Sequence, residues 1–211
     1  MKGLILAAGL GTRLRPLTSL RPKPIIGVAN KPIIVHAIDN LVAAGVTDIG
    51  IVVSHDTVDY LKDTLSSYEG ATFAYLMQDP PLGLAHAVKV AKDFLADDPF
   101  VMYLGDNLFE HGIQPFVDAF NEGDVNAVLA LVRVADPRSF GVAVVEDGRI
   151  INLVEKPKNP PSDLAVAGVY VFDKHIHKII ETLEPSGRGE YEITDAIQGL
   201  IDSKLTIAPV E

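Results

Sequence analysis

The sequence predicts a three-layer α/β/α domain built on a mostly parallel, mixed β-sheet. Two patterns predict this class. Short, continuous apolar runs alternate with longer helical patterns, and continuous runs are typical of strands that are covered on both faces. Residues 142–154 carry a hairpin signal, which adds an antiparallel element late in the chain. We therefore expect repeating β-α-β units that end in a mixed sheet.

Most strands are predicted from the apolar runs. The runs are Gly3–Ala8, Ile49–Val53, Phe100–Leu104, Ala127–Val134 and Val166–Phe172. The hairpin consists of Val142–Glu146 and Arg149–Val154, which flank a two-residue turn signal at Asp147 and Gly148. Leu205–Val210 predicts one more strand, which is either a natural edge strand or the point where a longer chain was cut.

Four helices are predicted between these strands. The first lies between the first two strands, with Asn30 as its cap, Pro32 near its first position and Gly45 after its end. The other three are Leu84–Leu95, Ile113–Asn121 and Ile193–Ser203.

Composition excludes several kinds of chemistry. The 211 residues include no cysteine, which removes disulfides, thiolate nucleophiles and cysteine-ligated zinc. A net charge of −10 argues against a nucleic-acid or anionic-membrane partner. No stretch approaches the roughly 20 apolar residues of a membrane span. We therefore expect a soluble, cytoplasmic protein.

The charge is unevenly distributed along the chain. No acidic residue precedes Asp39, whereas six basic residues do. They are Lys2, Arg13, Arg15, Arg21, Lys23 and Lys31. The segment either concentrates positive potential in one place or is a chance cluster on a solvated face, and the pattern alone weighs the two equally.

The strongest motif is a strand that leads into a glycine loop at Gly9 and Gly11. Glycines let backbone N–H groups approach an anion closely. A dinucleotide fingerprint is disfavoured because Leu14 stands where its third glycine belongs, and because Ser54 and not an acid follows the second strand. The lysine of a Walker A loop is also missing.

Two further residues could serve a phosphate site. Lys23 lies between Pro22 and Pro24, which would hold a cation on a stiff segment, although a surface loop with an incidental lysine is the simpler interpretation. Asp106 follows a central strand, where a Mg²⁺ carboxylate would be useful and where turn acids are also common. Glu155, Lys156 and Arg188 would add one carboxylate and two cations.

The ordered set of motifs resembles the sugar-1-phosphate nucleotidylyltransferase family, in particular the long form of the glucose-1-phosphate thymidylyltransferases. The motifs are Gly9–Leu14, Lys23 between prolines, Gln78, Pro81–Ala85, Gly105–Asn107, Phe140–Val142, Glu155–Pro157 and Arg188–Glu190. This resemblance implies a Rossmann-like nucleotide-diphospho-sugar transferase fold, with Mg²⁺ as cofactor and homo-oligomers as a possible assembly.

The resemblance also implies a role for each matching residue. Ala8, Gly9, Gly11, Thr12 and Arg13 would surround the triphosphate, with Lys23 on its phosphates; Gln78 and Gly83 would meet the base; Asp106 would bind Mg²⁺; Asn107, Gly141, Glu155 and Gly168 would hold the sugar, and Lys156 and Arg188 its phosphate. Arg13, Lys23 and Asp106 would be catalytic.

The implied reaction is in-line attack by glucose 1-phosphate on the α-phosphorus of dTTP, giving dTDP-glucose and pyrophosphate. A UTP-using or broader enzyme is the alternative, because Ala8 before Gly9 and Ala167 before Gly168 depart from the thymidylyltransferase pattern. In the family, a second Mg²⁺ aspartate and a left-handed β-helix follow the point where residues 1–211 end. The chain is thus expected to be a truncated catalytic domain, and a binding module without turnover is the alternative from another class.

Overall fold

The computed structural model describes residues 1–9, 11 and 22–211. The strands are β1 (Lys2–Leu6), β2 (Gly27–Val28), β3 (Lys31–Pro32), β4 (Asp48–Val53), β5 (Thr72–Met77), β6 (Phe100–Leu104), β7 (Ala127–Arg133), β8 (Gly141–Glu146), β9 (Arg149–Glu155), β10 (Leu164–Phe172) and β11 (Ile207–Val210). The helices are α1 (Ile33–Ala43), α2 (Val58–Leu65), α3 (Leu84–Val90), α4 (Lys92–Leu95), α5 (Gln114–Glu122), α6 (His175–Glu181) and α7 (Ile193–Asp202).

The main sheet has the strand order β11-β7-β10-β6-β1-β4-β5. β1 pairs in parallel with both β4 and β6, β4 pairs in parallel with β5, and β7 pairs in parallel with β11. β10 runs antiparallel between β6 and β7, and the β8–β9 hairpin branches from it. The predicted mixed sheet with mostly parallel strands is confirmed.

Two apolar clusters cover the two faces of this sheet. One contains the inward faces of α1, α2 and α5, for example Leu41, Leu61 and Val117. The other contains those of α3, α4, α6 and α7, for example Val88 and Ile197. Burial on both faces explains why the central strands are continuously apolar, and the three-layer prediction is confirmed.

The order of the strands creates a switch point. The chain passes from β1 to β4 and β5 on one side, then returns to β6 on the other side of β1. α1 and α2, which follow β1 and β4, cover one face of the sheet, whereas α3 and α4, which lie between β5 and β6, cover the other. The crevice beyond the carboxyl ends of β1 and β6 lies where the strand order reverses. In the main sheet, β11, β7, β6, β1, β4 and β5 run in one direction and β10 runs against them. The residues after β1, β5 and β6 therefore meet at the same edge of the sheet.

The structure corrects several details of the predicted elements. Asn30 does not cap α1; it has a φ of 63° in the turn between β2 and β3, and Pro32 is the N-cap. The predicted helix Leu84–Leu95 is interrupted at Ala91. Gly45, with a φ of 77°, follows α1 as predicted, and Asp147 and Gly148 have the positive φ angles that a two-residue hairpin turn requires.

Five of the helices and strands in the described residues have no counterpart in the sequence prediction. They are β2, β3, α2, β5 and α6. β5 lies at the edge of the sheet and is only half-buried; its apolar run, Phe73–Met77, is not among the runs from which strands were predicted. Among the described residues, none of the helices combines the length and the hydropathy needed to cross a bilayer.

Candidate functional site

A cleft of about 470 Å³ lies at the switch point, beyond the carboxyl ends of β1 and β6. Its walls come from four parts of the chain that are distant in sequence. The lining residues are Leu6, Ala7, Ala8, Gly9, Gly11, Lys23, Pro24, Gln78, Pro81, Gly83, Leu84, Leu104, Gly105, Asp106 and Glu190. The fold thus brings the glycine loop, Lys23, Gln78 and Asp106 together in one crevice.

The glycine loop begins directly after β1. The N–H of Ala7 donates to the carbonyl of Val52 at 2.8 Å, which extends the pairing of β1 with β4 by one residue. Ala8 is buried and Gly9 is exposed to the cleft. A Cβ built on Gly9 meets no atom of the described residues within 4 Å. Thr12 and Arg13, which the sequence also assigns to this loop, lie outside the described residues.

Lys23 and Asp106 form an ion pair in the cleft. Lys23 opens a short 3-10 turn after Pro22, whose φ of −57° and ψ of 143° hold the preceding backbone extended. Asp106 follows Gly105, whose N–H donates to the carbonyl of Leu6 at 3.0 Å and prolongs the β1–β6 pairing. The two side chains are 28% and 36% exposed, so the cation and the carboxylate both face the solvent-filled crevice.

Asn107 connects Asp106 to β10. Its amide donates to Asp106 Oδ1 at 3.1 Å and accepts from the N–H of Gly168 at 2.9 Å. The register of β10 against β7 shifts between Val166 and Tyr170, so Gly168 lies in a bulge that turns its backbone toward Asn107. A Cβ on Gly168 would collide with the Asn107 amide. Glycine is therefore needed at this position.

Gln78 and Gly83 lie together on the β5 side of the cleft. The Gln78 amide nitrogen donates to the carbonyl of Gly83 at 3.1 Å and contacts His86 Nδ1 at 3.0 Å. Gly83 has a φ of 104°, and a Cβ there would lie 2.5 Å from the carbonyl oxygen of Tyr191. The Gln78 side chain is thus held by a backbone segment that packs tightly on the loop before α7.

The remaining predicted residues form a second cluster beside the cleft, around Glu155. Lys156 Nζ lies 2.9 Å and Arg188 Nη2 3.3 Å from Glu155 Oε1, and Thr194 Oγ1 donates to Glu155 Oε2 at 3.2 Å. Gly141 is close as well, because a Cβ there would lie 3.5 Å from Glu155 Oε2. Pairing of β8 with β9 brings Gly141 opposite Glu155.

Arg188 joins the second cluster to the cleft. It donates through Nε at 3.1 Å and Nη2 at 2.7 Å to Glu192 Oε1, and it lies 3.4 Å from Glu190, which lines the cleft. The hydrogen bond that Arg188 donates to Glu192 is the main cause that raises the pKa of Arg188. Glu192 is 7% exposed and also accepts from Ser186 at 2.8 Å. Arg188 is thus oriented by a buried carboxylate.

Carboxylates in the second cluster also act on one another. Burial, followed by the charges of Glu192 and Glu155, raises the pKa of Asp195. Lys156 and Arg188 face three carboxylates, on Glu155, Glu190 and Glu192. A phosphate that binds here would replace some of these ion pairs.

Of the basic residues before Asp39, the structure describes Lys2, Lys23 and Lys31. Lys2 lies at the opposite edge of the sheet and pairs with Asp98 at 3.2 Å, and Lys31 pairs with Asp39 at 2.5 Å. Within the described ranges, only Lys23 among these cations lines the cleft. The sequence suggested that these cations concentrate positive potential in one place, and Lys23 is the one that the described residues place at the cleft. The other three, Arg13, Arg15 and Arg21, lie outside the described residues.

The donor groups suit a divalent cation that is shared with a ligand. No group of three His, Cys, Asp or Glu side chains able to hold a metal occurs in the described part of the chain. Asp106 offers one carboxylate at the cleft. Mg²⁺ is commonly held by one or two carboxylates together with substrate phosphates and water, so Asp106 fits such an ion.

Sequence reasoning missed three residues that support the site: His86, Tyr191 and Glu192. His86 contacts Gln78, the Tyr191 carbonyl crowds Gly83, and Glu192 orients Arg188. Two of them lie in the acid-rich stretch between Arg188 and α7, which was the available signal. His86 carried no signal, because one histidine on an apolar helix is most often a packing residue.

A crevice at the switch point of a parallel sheet, with a glycine loop, a cation and a carboxylate at its mouth, is typical of nucleotide-binding α/β proteins. The family model for nucleotidyl transferases matches residues 2–209. The chain belongs to this family.

Three relatives are especially similar. The low-salt glycan biosynthesis nucleotidyltransferase Agl11 of Haloferax volcanii is 47% identical over 98% of this chain and 59% of the relative. A glucose-1-phosphate thymidylyltransferase of Streptomyces antibioticus is 48% identical over 96% of this chain and 58% of the relative. A crystal structure described as a glucose-1-phosphate thymidylyltransferase from Bacillus anthracis, in complex with a sucrose, has a TM-score of 0.91 and 37% identity, over 100% of this chain and 87% of that one.

The family and the fold expected from the sequence are therefore confirmed. The chain spans less than two thirds of the length of the two curated relatives.

Proposed function

We propose that residues 1–211 form the catalytic domain of a cytoplasmic sugar-1-phosphate nucleotidylyltransferase that uses dTTP and glucose 1-phosphate. The products would be dTDP-glucose and pyrophosphate. The observation that carries the proposal is the convergence of Gly9, Gly11, Lys23, Gln78 and Asp106 in one cleft at the switch point.

The cleft suits a nucleoside triphosphate. Backbone N–H groups at a glycine turn bind phosphate oxygens without obstruction from a Cβ, and Gly9 has open space before it among the described atoms. Lys23 supplies a positive charge that its proline neighbours hold in place. Gln78 lies in the same cleft and carries a polar amide for the edge of the base. Thr12 and Arg13 are proposed to add to the phosphate contacts.

The neighbouring cluster suits the sugar phosphate. Glu155 is proposed to accept hydrogen bonds from sugar hydroxyls, helped by Asn107 and the backbone at Gly141 and Gly168. Lys156 and Arg188 would bind the phosphate. Asn107 contacts Asp106, and Arg188 contacts Glu190 at the cleft wall. The two binding regions are therefore contiguous, as a direct transfer between two ligands requires.

The proposed chemistry relies on charge and orientation. A phosphate monoester is largely ionised at neutral pH, so the attacking oxygen needs no general base. The obstacle is the repulsion between two polyanions, which Lys23, Lys156, Arg188 and the loop amides would reduce. A Mg²⁺ ion held by Asp106 would supply further charge neutralisation at the phosphates when bound.

UTP is the alternative nucleotide. Uracil and thymine present the same N3–H and carbonyl edge to Gln78, and they differ by the C5-methyl group of thymine. Residue 8, directly before Gly9, is alanine and not the glycine of the thymidylyltransferase pattern, so the motif is compatible with either dTTP or UTP as the nucleotide.

A different class is a sugar-nucleotide binding module without turnover. It is favoured because the described part of the chain holds no group of three His, Cys, Asp or Glu side chains able to bind a metal, and the cleft there is lined by two carboxylates, Asp106 and Glu190.

Pyrophosphate release is the direct test. The chain is incubated with each of dTTP, UTP, CTP, ATP and GTP against glucose 1-phosphate and other sugar 1-phosphates, with Mg²⁺. We expect the highest rate with dTTP and glucose 1-phosphate. Nucleotide binding by calorimetry without release with any pair would favour the binding module. If the chain neither binds a nucleotide nor releases pyrophosphate with any pair, the proposal is refuted.

A further inference from the structure

We infer that His86 is a positioning residue that fixes the Gln78 amide, so that the cleft selects thymine or uracil over cytosine. This inference rests on the proposed function, because it assigns the base specificity of the same cleft. Three described groups carry it: the Gln78 amide, the Gly83 carbonyl and the His86 ring.

The Gly83 carbonyl decides which way the Gln78 amide points. A carbonyl can only accept, so the atom 3.1 Å from it must be the amide nitrogen. The second hydrogen of that nitrogen is directed at His86 Nδ1, 3.0 Å away. Both amide hydrogens are thus used inside the protein. The amide oxygen takes part in neither bond, and Gln78 lines the cleft, so this oxygen is the atom that we assign to recognition of the base.

His86 must therefore be neutral, with its proton on Nε2. A proton on Nδ1 would face the Gln78 N–H and turn a hydrogen bond into a repulsion. The ring is held by α3 and by a stacked contact with Tyr191, at a centroid distance of 6.0 Å and an interplanar angle of 25°. Burial and then the nearby charge of Lys89 lower the pKa of His86, which agrees with a neutral ring.

An outward-facing amide oxygen discriminates between pyrimidines. Thymine and uracil carry a hydrogen on N3, which the oxygen accepts. Cytosine has a bare N3 acceptor at that place, so two acceptors would face each other. An amide free to rotate would present its N–H groups to cytosine instead. The fixed orientation of the amide therefore excludes cytosine, and His86 accepts one of the two hydrogen bonds that fix it.

The test compares His86→Leu with His86→Asn. Asparagine Oδ1 occupies about the position of histidine Nδ1 and keeps the acceptor, whereas leucine has the same branched shape without it. Calorimetry measures the Kd of UTP and CTP for the unmodified chain and both variants. Circular dichroism checks the fold of each variant.

We expect His86→Leu to weaken UTP binding about threefold to tenfold, the effect of one hydrogen bond, and CTP binding to be unchanged or improved. The ratio of the two Kd values should therefore fall, and His86→Asn should restore it. An equal loss for both nucleotides, or an unchanged ratio, would mean that His86 only packs and would overturn the inference. If His86→Leu does not fold, His86→Ala takes its place. A loss of the preference for UTP over CTP in His86→Asn would overturn the inference as well.

The outcomes separate this inference from the proposed function. If the unmodified chain binds UTP and dTTP but the variants keep its preference, the inference alone fails. If the unmodified chain binds no nucleotide, the proposed function fails and this inference fails with it.

Discussion

Replacement of Gly9 by alanine tests the glycine loop without disturbing the fold. The φ of Gly9 is outside the positive range, and a Cβ there meets no described atom within 4 Å. The free energy of unfolding should therefore stay the same or rise by about 0.4–1 kcal/mol, because alanine restricts the unfolded chain. Gly27 shares these properties but lies in β2, away from the residues that line the cleft. Gly27→Ala is thus a matched control.

The expected effect is on the nucleotide. A Cβ on Gly9 would project at a phosphate and cost roughly one hydrogen bond to a charged group, about 1.5–3 kcal/mol. This corresponds to a rise in the Kd of dTTP of roughly ten- to a hundredfold. Calorimetry with dTTP measures it, and thermal unfolding measures stability. Equal dTTP affinity in Gly9→Ala and Gly27→Ala would refute the assignment of the loop to phosphate.

Three further outcomes are expected. Asp106→Ala should lower Mg²⁺-dependent turnover by about 100-fold or more, yet cost under about 1 kcal/mol of stability because its pair with Lys23 is partly exposed; Asp98→Ala, which breaks an ion pair at the opposite sheet edge, should keep its activity. Arg188→Lys should raise the KM for sugar phosphate about tenfold, because lysine cannot bind phosphate in a bidentate way, whereas Arg133→Lys at an exposed pair should not. Nucleotide affinity should fall as the pH is lowered and His86 gains a proton. The pKa of His86, whose ring faces Lys89 and Tyr191, lies below the ordinary 6.5, so the loss of affinity should begin below pH 6.5. The same loss should be absent from His86→Asn.

The central sheet could be predicted because burial on both faces leaves a clear trace in the sequence. β6 and β10 are continuous apolar runs, and both were found within two residues of their ends. β5 carries a similar run, Phe73–Met77, which was not predicted as a strand; at the sheet edge its residues are only half-buried, so an apolar run does not by itself indicate burial on both faces. The break at Ala91 was also invisible, since nothing in that helical pattern marks an interruption.

The nucleotide side of the candidate site was more predictable than its supports. Gly9, Lys23 and Asp106 carry local signals in turns and strand ends, and the strand order brings them together. His86 and Glu192 act through contacts that cross 8 and 4 residues of sequence, respectively, and depend on side-chain direction. No pattern of residue types predicts those directions, so only the structure reveals them.

A crystal structure of the chain with dTTP would show whether the switch-point cleft holds the triphosphate and the base. We expect the triphosphate on the amides of Gly9 and Gly11 and on Lys23, with the N3–H of thymine donating to the Gln78 amide oxygen. A nucleotide bound outside the switch-point cleft, or one whose base turns away from Gln78, would contradict this expectation.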